Sequence, residues 1–191
     1  DLSYELEKLN IEITQKTKEL ENIAMYDLLT GLPNRNMLNY QLRKYLQKGT
    51  RNNCNIGILF LDLDDFKKVN DSHGHGEGDK LLIEAANRIN LSVGSADMVC
   101  RFGGDEFVLL LTGLHNQDEA AYVADKVLKL IQQPIKLSSK VTANIGCSIG
   151  IAMYPDDGES DNDLLKVADS LMYEVKAAGK NHYIFNRKTS A

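Results

Sequence analysis

Seven positions at the start of the chain, Leu2, Leu6, Leu9, Ile13, Lys16, Leu20 and Ile23, recur at alternating intervals of four and three. This heptad spacing predicts one long helix with a coiled-coil seam, polar only at Lys16. A lone amphipathic helix rarely persists without a packing partner. The stripe is therefore expected to pair with a second copy as a parallel dimer stalk, in preference to lying on its own domain. Gly31 and Pro33 in "DLLTGLPNR" break the helix. Asn34 can cap a second helix running to about Lys48 and ended by Gly49.

"NIGILFLDLDDF" reads as a buried strand that places Ile58, Phe60 and Asp62 on one side and Leu59, Leu61 and Leu63 on the other. An apolar row thus ends in an acid. After a short charged turn, "HGHGEGD" opens a helix to about Ser92, with Leu82, Ala86 and Ile89 on one face. "MVCRFGGDEFVLLL" predicts a hairpin around a glycine turn. A helix from about Asp118 to Gln132 stops before Pro134, and a second hairpin is expected over "PIKLSS" and "KVTANIGCSIGIAMY". Ser160 with Asp163 resembles a capping box for a helix through Ala178, its inner stripe Leu164, Ala168, Leu171 and Val175 and its end Gly179. "HYIFN" closes the pattern as a strand. This order predicts an α+β fold, one mostly antiparallel sheet flanked by helices, behind an N-terminal coiled-coil helix. The expected divisions are a linker helix over 1–25, the domain over 26–186 and a short tail over 187–191, a linker into a further domain.

At 191 residues the chain suffices for one domain with a sizeable core, and 43% hydrophobic with 26% charged residues is the composition of a soluble globular protein. A formal net charge of -5 argues against a sequence-independent grip on nucleic acid. Cys54, Cys100 and Cys147 are odd in number, and two of them lie in apolar strand-like runs, which predicts a reduced, cytoplasmic domain. No apolar run approaches the roughly 18 residues of a membrane helix. Asp1 begins in mid-helix, without an initiator Met or a cap. The chain is accordingly expected to be a piece of a longer protein, whose other parts could include a membrane anchor.

Candidate chemistry gathers where apolar strands meet turns. Asp62 and Asp105 both occupy such positions, and their carboxylates converge if the first strand pairs beside the hairpin. Two like charges held together call for a cation between them, and hard oxygen donors favour Mg²⁺ or Mn²⁺. Such a site suits phosphoryl or nucleotidyl transfer. Taken alone, "RFGGDEF" is equally consistent with a solvated turn. The second acid-rich strand end, "FLDLDDFKKVND", shifts the balance and adds Lys67 and Lys68 within one helical turn. His73 and His75, with no cysteine or further histidine nearby, are weak grounds for zinc and read as turn residues. "GHGEGD" lacks the glycine spacing of a dinucleotide fingerprint.

"DLLTGLPNR", "FLDLDDFKKVND", "GHGEGD", "RFGGDEF" and "LMYEVKAAGKN" occur in the order and approximate spacing of GGDEF-domain diguanylate cyclases, and the chain resembles that family from Asp27 to about Phe185. The resemblance implies a palm-like nucleotidyl-cyclase fold with a ferredoxin-like core. It also implies condensation of two GTP molecules, one per domain of a homodimer, to cyclic di-GMP and two pyrophosphates. Asp62, Asp105 and the backbone carbonyl of Leu63 would be metal ligands for Mg²⁺ or Mn²⁺. Asp105 would accept the proton of the attacking 3′-hydroxyl, with Glu106 beside the same metals and Lys67 near the transferring phosphates.

Lys176 and Lys180 would hold the triphosphate, and Lys180 stands where many members carry arginine, giving up a bidentate fork. Asn70 and Asp79 would read guanine, and His75 would support that loop. Many members also carry an arginine and an aspartate as a product-inhibition site just before the signature. Here "GSAD" keeps Asp97 but has Gly94 in place of the arginine, which removes the guanidinium that would bind product. The competing function is a GTP-binding regulatory module without turnover, as found fused to phosphodiesterase domains. Such a relic would be free to lose Asp62, Asp105 or Glu106, and all are present. A palm-like transferase acting on nucleic acid is disfavoured by the charge. An upstream sensory domain and a downstream phosphodiesterase domain are the implied partners in the longer protein.

Overall fold

The computed structural model describes residues 2–52 and 55–186. Asp1, Cys54 and the 187–191 tail lie outside the described residues, as do the expectations attached to them. The first helix, α1 (Leu2–Met25), carries the heptad stripe and buries none of its residues. Leu6, Leu9, Ile13, Leu20 and Ile23 are all exposed, so the stripe does not lie on its own domain. The last turn of α1 is gripped from beyond the break. Asn34 Nδ2 and Asn36 Nδ2 donate to Ala24 O at 3.0 and 3.1 Å, and the Asn34 amide donates to Met25 O at 2.9 Å.

Asn34 also caps α2 (Arg35–Asn52), its Oδ1 accepting from the amides of Asn36 and Met37. The helix continues past Gly49, where the sequence predicts its end. A single glycine weakens a helix by about 1 kcal/mol but does not forbid helical dihedrals. Strand β1 (Asn55–Leu63) follows, then α3 (Phe66–His73) and α4 (His75–Asn90), separated by Gly74 at φ +87°. The charged turn expected after β1 is thus largely a helix, and His73 and His75 are helix residues.

The signature hairpin is β2 (Met98–Gly103) with β3 (Glu106–Leu114). Beyond it come α5 (Gln117–Ile131), capped by Asn116, and the short pair β4 (Ile135–Lys136) and β5 (Thr142–Ala143). The expected second hairpin is confined to this pair. The apolar run after it is β6 (Cys147–Tyr154), buried at every position, which crosses into the main sheet to pair antiparallel with β1. Burial on both faces requires a central place. Helix α6 (Asp161–Ala177) starts at the predicted Ser160 cap, where Asp163 N donates to Ser160 Oγ at 3.1 Å. Strand β7 (Tyr183–Phe185) pairs parallel to β6.

The sheet order is β2-β3-β1-β6-β7, antiparallel except at its β6–β7 edge. The predicted alternation of β1 divides the core. Leu59, Leu61 and Leu63 join Leu82, Ala86 and Ile89 of α4 and Ala124 and Val127 of α5. Ile58 and Phe60 join Leu38 and Leu42 of α2 and Leu164, Ala168 and Met172 of α6. Asp62 continues the second row, at the end of the sheet's central strand. No helix of the described residues is long and apolar enough to cross a membrane.

Candidate active site at the end of the central strand

Pairing of β1 with β3 sets Asp62 opposite Glu106, and the amide of Leu63 donates to Asp105 O at 3.1 Å. The sequence prediction that the two acidic strand ends meet is therefore correct. The corner between them turns through Gly104 at φ +49°, a left-handed conformation that glycine adopts without Cβ strain. Asp62 is only 6% exposed, and its Oδ1 is fully enclosed. Lys176 Nζ lies 2.7 Å from that oxygen as an ion pair. Burial pushes the Asp62 carboxyl up to about 6, with Asp105 and Asp64 adding to the rise and Lys176 opposing it. Glu106 is raised as well, by burial first and then by Asp62, Asp169 and Asp105.

This donor set fits a hard divalent cation. Among the described residues no three acidic, histidine or cysteine side chains form a ready-made metal cluster. What the site offers is an enclosed carboxylate oxygen, further acids around it, and one lysine ammonium on that oxygen supplying part of the positive charge they require. Asp62, Asp105 and the Leu63 carbonyl are the groups that would hold Mg²⁺ or Mn²⁺.

Asp65, at φ +61°, turns the chain from β1 into α3. Asn70 of α3 then packs against Gly78 of α4, where any Cβ would overlap Asn70 Oδ1. That oxygen is also enclosed and unbonded. Asp79 follows Gly78 on α4 and is exposed, so the two residues expected to read guanine meet at one helix junction. His75 is exposed on the first turn of α4, and Lys67 is exposed on α3 with no ion pair among the described residues. Lys180, at φ +65°, reaches back to Asp65 Oδ1 at 2.8 Å. Lys176 and Lys180 therefore both reach the C-terminal end of β1, at Asp62 and just beyond it at Asp65.

Two positioning groups escaped the sequence reading. Asp64 is 4% exposed, its Oδ1 accepting from Ser148 Oγ at 2.7 Å and its Oδ2 from the Asn181 amide at 3.0 Å. It ties the lysine-bearing segment after α6 to the end of β1. Arg101 donates from Nη1 to both oxygens of Asp27, at 3.0 and 3.1 Å, and from Nε and Nη2 to Gly104 O, at 3.0 and 2.8 Å. Burial opposes ionisation of Asp27, but hydrogen bonds from Thr30 and Arg101 outweigh it and hold the carboxyl below its usual range. The signature corner is thus clamped to the segment that follows α1. The only sequence signal was an arginine at a strand end, which does not name its partner.

At the expected inhibition site, Asp97 Oδ2 accepts from the Gly94 amide and Oδ1 from the Thr112 amide, both at 3.0 Å. Both carboxylate oxygens are engaged in holding the start of β2 to β3.

Known proteins carry the same plan. The family described as "Diguanylate cyclase, GGDEF domain" matches residues 24–182. The bifunctional diguanylate cyclase/cyclic di-GMP phosphodiesterase MucR of Pseudomonas aeruginosa is 44% identical over 177 residues, covering 93% of this chain and 26% of MucR. The diguanylate cyclase TpbB of the same species is 37% identical over 172 residues, 90% of this chain and 40% of TpbB. The chain thus spans less than half the length of either relative. A solved TpbB fragment comprising only the GGDEF domain superposes with a TM-score of 0.83 at 36% identity, covering 85% of this chain and 94% of the fragment. With the acids of "RFGGDEF" set beside Asp62 on adjacent strands and the family model matching residues 24–182, this chain belongs to the GGDEF-domain diguanylate cyclase family.

Proposed function

We propose that this domain condenses two GTP molecules into cyclic di-GMP as a homodimer, with Mg²⁺ or Mn²⁺ as cofactor. The observation that carries the reading is the buried Asp62 carboxylate, its enclosed oxygen paired with Lys176, at the meeting point of the two acidic strand ends. Each of the two steps forms a bond from a 3′-oxygen to an α-phosphorus, breaks the bond from that phosphorus to the bridging oxygen, and releases pyrophosphate. The hydroxyl proton passes to the Asp105 carboxylate. Lys176 exchanges Asp62 for phosphate oxygens, while Lys180 and Lys67 bind the remaining triphosphate charge. A divalent cation held by Asp62 and Asp105 would stabilise charge on the α-phosphate and the leaving group.

Base selection follows from donor and acceptor counts. The Asp79 carboxylate accepts from guanine N1–H and N2–H, with Asn70 completing the edge and His75 supporting the loop. Adenine presents an acceptor at N1, leaving the carboxylate unpaired against it, a mismatch that discriminates strongly. We assign residues 26–186 to the catalytic domain and 1–25 to a stalk that pairs two copies. The setting is a longer cytoplasmic-facing signalling protein with an upstream sensory domain and, as in bifunctional MucR, a phosphodiesterase domain. A membrane anchor would belong to its other parts. The alternative, a GTP-binding module without turnover, has no observation in its favour while Asp62, Asp105 and Glu106 remain together.

Incubation of the chain with GTP and MgCl₂, followed by chromatography, is expected to yield cyclic di-GMP with two pyrophosphates per product. GTP binding without product, even when two copies are covalently paired, would instead support the regulatory module. Added cyclic di-GMP is expected to leave the initial rate unchanged through the "GSAD" corner, because Gly94 has no side chain and Asp97 is engaged. Noncompetitive inhibition that disappears in Asp97→Ala would refute this.

A further inference from the structure

On the β2 side of the signature corner, away from Lys176 and Lys180, lies a cleft of about 300 Å³. Its polar lining is almost entirely committed. Arg101 is bound to Asp27 and Gly104, and the side-chain amides of Asn34 and Asn36 donate to Ala24 O. The exception is Arg35. Its guanidinium carbon stands 4.6 Å from the centroid of the Phe102 ring, and it makes no ion pair among the described residues. Phe102 is in turn fixed edge-on to buried Phe60, centroids 5.0 Å apart. A guanidinium laid on an aromatic face keeps its N–H edges free for an anion. Beside it, Gly103 and Gly104 have nothing within 4 Å of where a Cβ would stand, so the corner is open to an approaching group.

The sheet order decides which anion is met. Lys176 and Lys180 contact Asp62 and Asp65, on β1 and just after it, whereas Arg35 sits over β2, the edge strand with one neighbour. The triphosphate cradle of a domain's own nucleotide and Arg35 are therefore on opposite sides of the corner. Resting on the proposed condensation of two nucleotides held by two copies, we propose that Arg35 contacts a phosphate of the nucleotide carried by the second copy. It is a catalytic residue supplied in trans. Asn34 and Asn36, hydrogen-bonded on either side of it, hold its backbone in place.

The test uses the full 191-residue chain and Arg35→Ala. The variant is expected to bind 3′-deoxy-GTP, which cannot condense, as tightly as the parent, while its cyclic di-GMP production falls roughly a hundredfold or more. Differently tagged Arg35→Ala and Asp105→Ala chains, co-purified as a mixed dimer, retain one site with Asp105 on one copy and Arg35 on the other. That dimer should form the linear dinucleotide with loss of one pyrophosphate, which neither variant forms alone. Full activity of Arg35→Ala, weakened 3′-deoxy-GTP binding, or no linear product from the mixed dimer overturns the assignment to the second nucleotide. A parent chain making no cyclic di-GMP in the same assay overturns the cyclase reading itself, and this inference with it.

Discussion

Asp62→Asn is expected to lower cyclic di-GMP formation by roughly a thousandfold or more and, in metal-free buffer at neutral pH, to make the protein more stable than its parent. The two effects share one cause. Asp62 is a buried carboxylate among other acids, and the ion pair with Lys176 offsets only part of the cost of burying its charge. Its carboxyl titrates at about 6 in the fold against 3.8 as a free group, so between these values the folded protein binds the extra proton. Stability therefore falls as pH rises from about 4 to about 6 and stays lower above, by about 3 kcal/mol for the gap from 3.8 to about 6. Asparagine has no such titration, so the Asp62 share of that slope should vanish, leaving what Glu106, also raised by burial, contributes. Urea unfolding across pH in EDTA measures it, and a variant less stable than the parent at neutral pH would contradict the argument.

Gly150→Val is expected to cost more than about 4 kcal/mol and to remove activity by displacing α6. Gly150 lies in the middle of β6, opposite Phe60 on one side and Ile184 on the other. A Cβ there would overlap Ala168 O and Met172 N, backbone atoms of α6, and would sit 2.8 Å from Leu171 Cβ. Backbone cannot rotate aside as a flexible side chain would, so the helix must retreat from the sheet. Lys176, one turn beyond Met172, retreats with it. Thermal unfolding and amide exchange of α6 report the change. A melting temperature within a few degrees of the parent would mean that the contact between α6 and the sheet is dispensable.

These two positions were not equally legible. Asp62 stands out in the sequence because a polar residue ends an apolar row whose period fixes the side it faces. Gly150 looks like any glycine in an apolar run, since its importance lies in helix atoms at least 18 positions away. The same distinction runs through the fold. The heptad stripe, the β1 alternation, the Ser160 cap and the signature hairpin are local patterns and were readable. Helix α3 was missed because eight residues of mixed polarity carry too little periodicity, and it is defined largely by packing on α4. The passage of β6 into the main sheet and the bond between Arg101 and Asp27, 74 positions apart, depend on tertiary pairing that local patterns do not contain. The family resemblance assigned roles at Asn70, Asp79 and Lys176, but the enclosed oxygens of Asp62 and Asn70 emerged only from the assembled fold.

The grip on the end of α1 also gives that helix an angular setting on the domain. Ala24 and Met25 offer their carbonyls to Asn34 and Asn36, and Asp27 is locked to Arg101, which holds Gly104. Rotation of α1 about its own axis is thereby geared to the signature corner. Each residue added to the helix advances its phase by about 100°. A seven-residue addition returns it to within about 20°, whereas, in the homodimer proposed above, additions that break the heptad would turn the two catalytic faces away from each other.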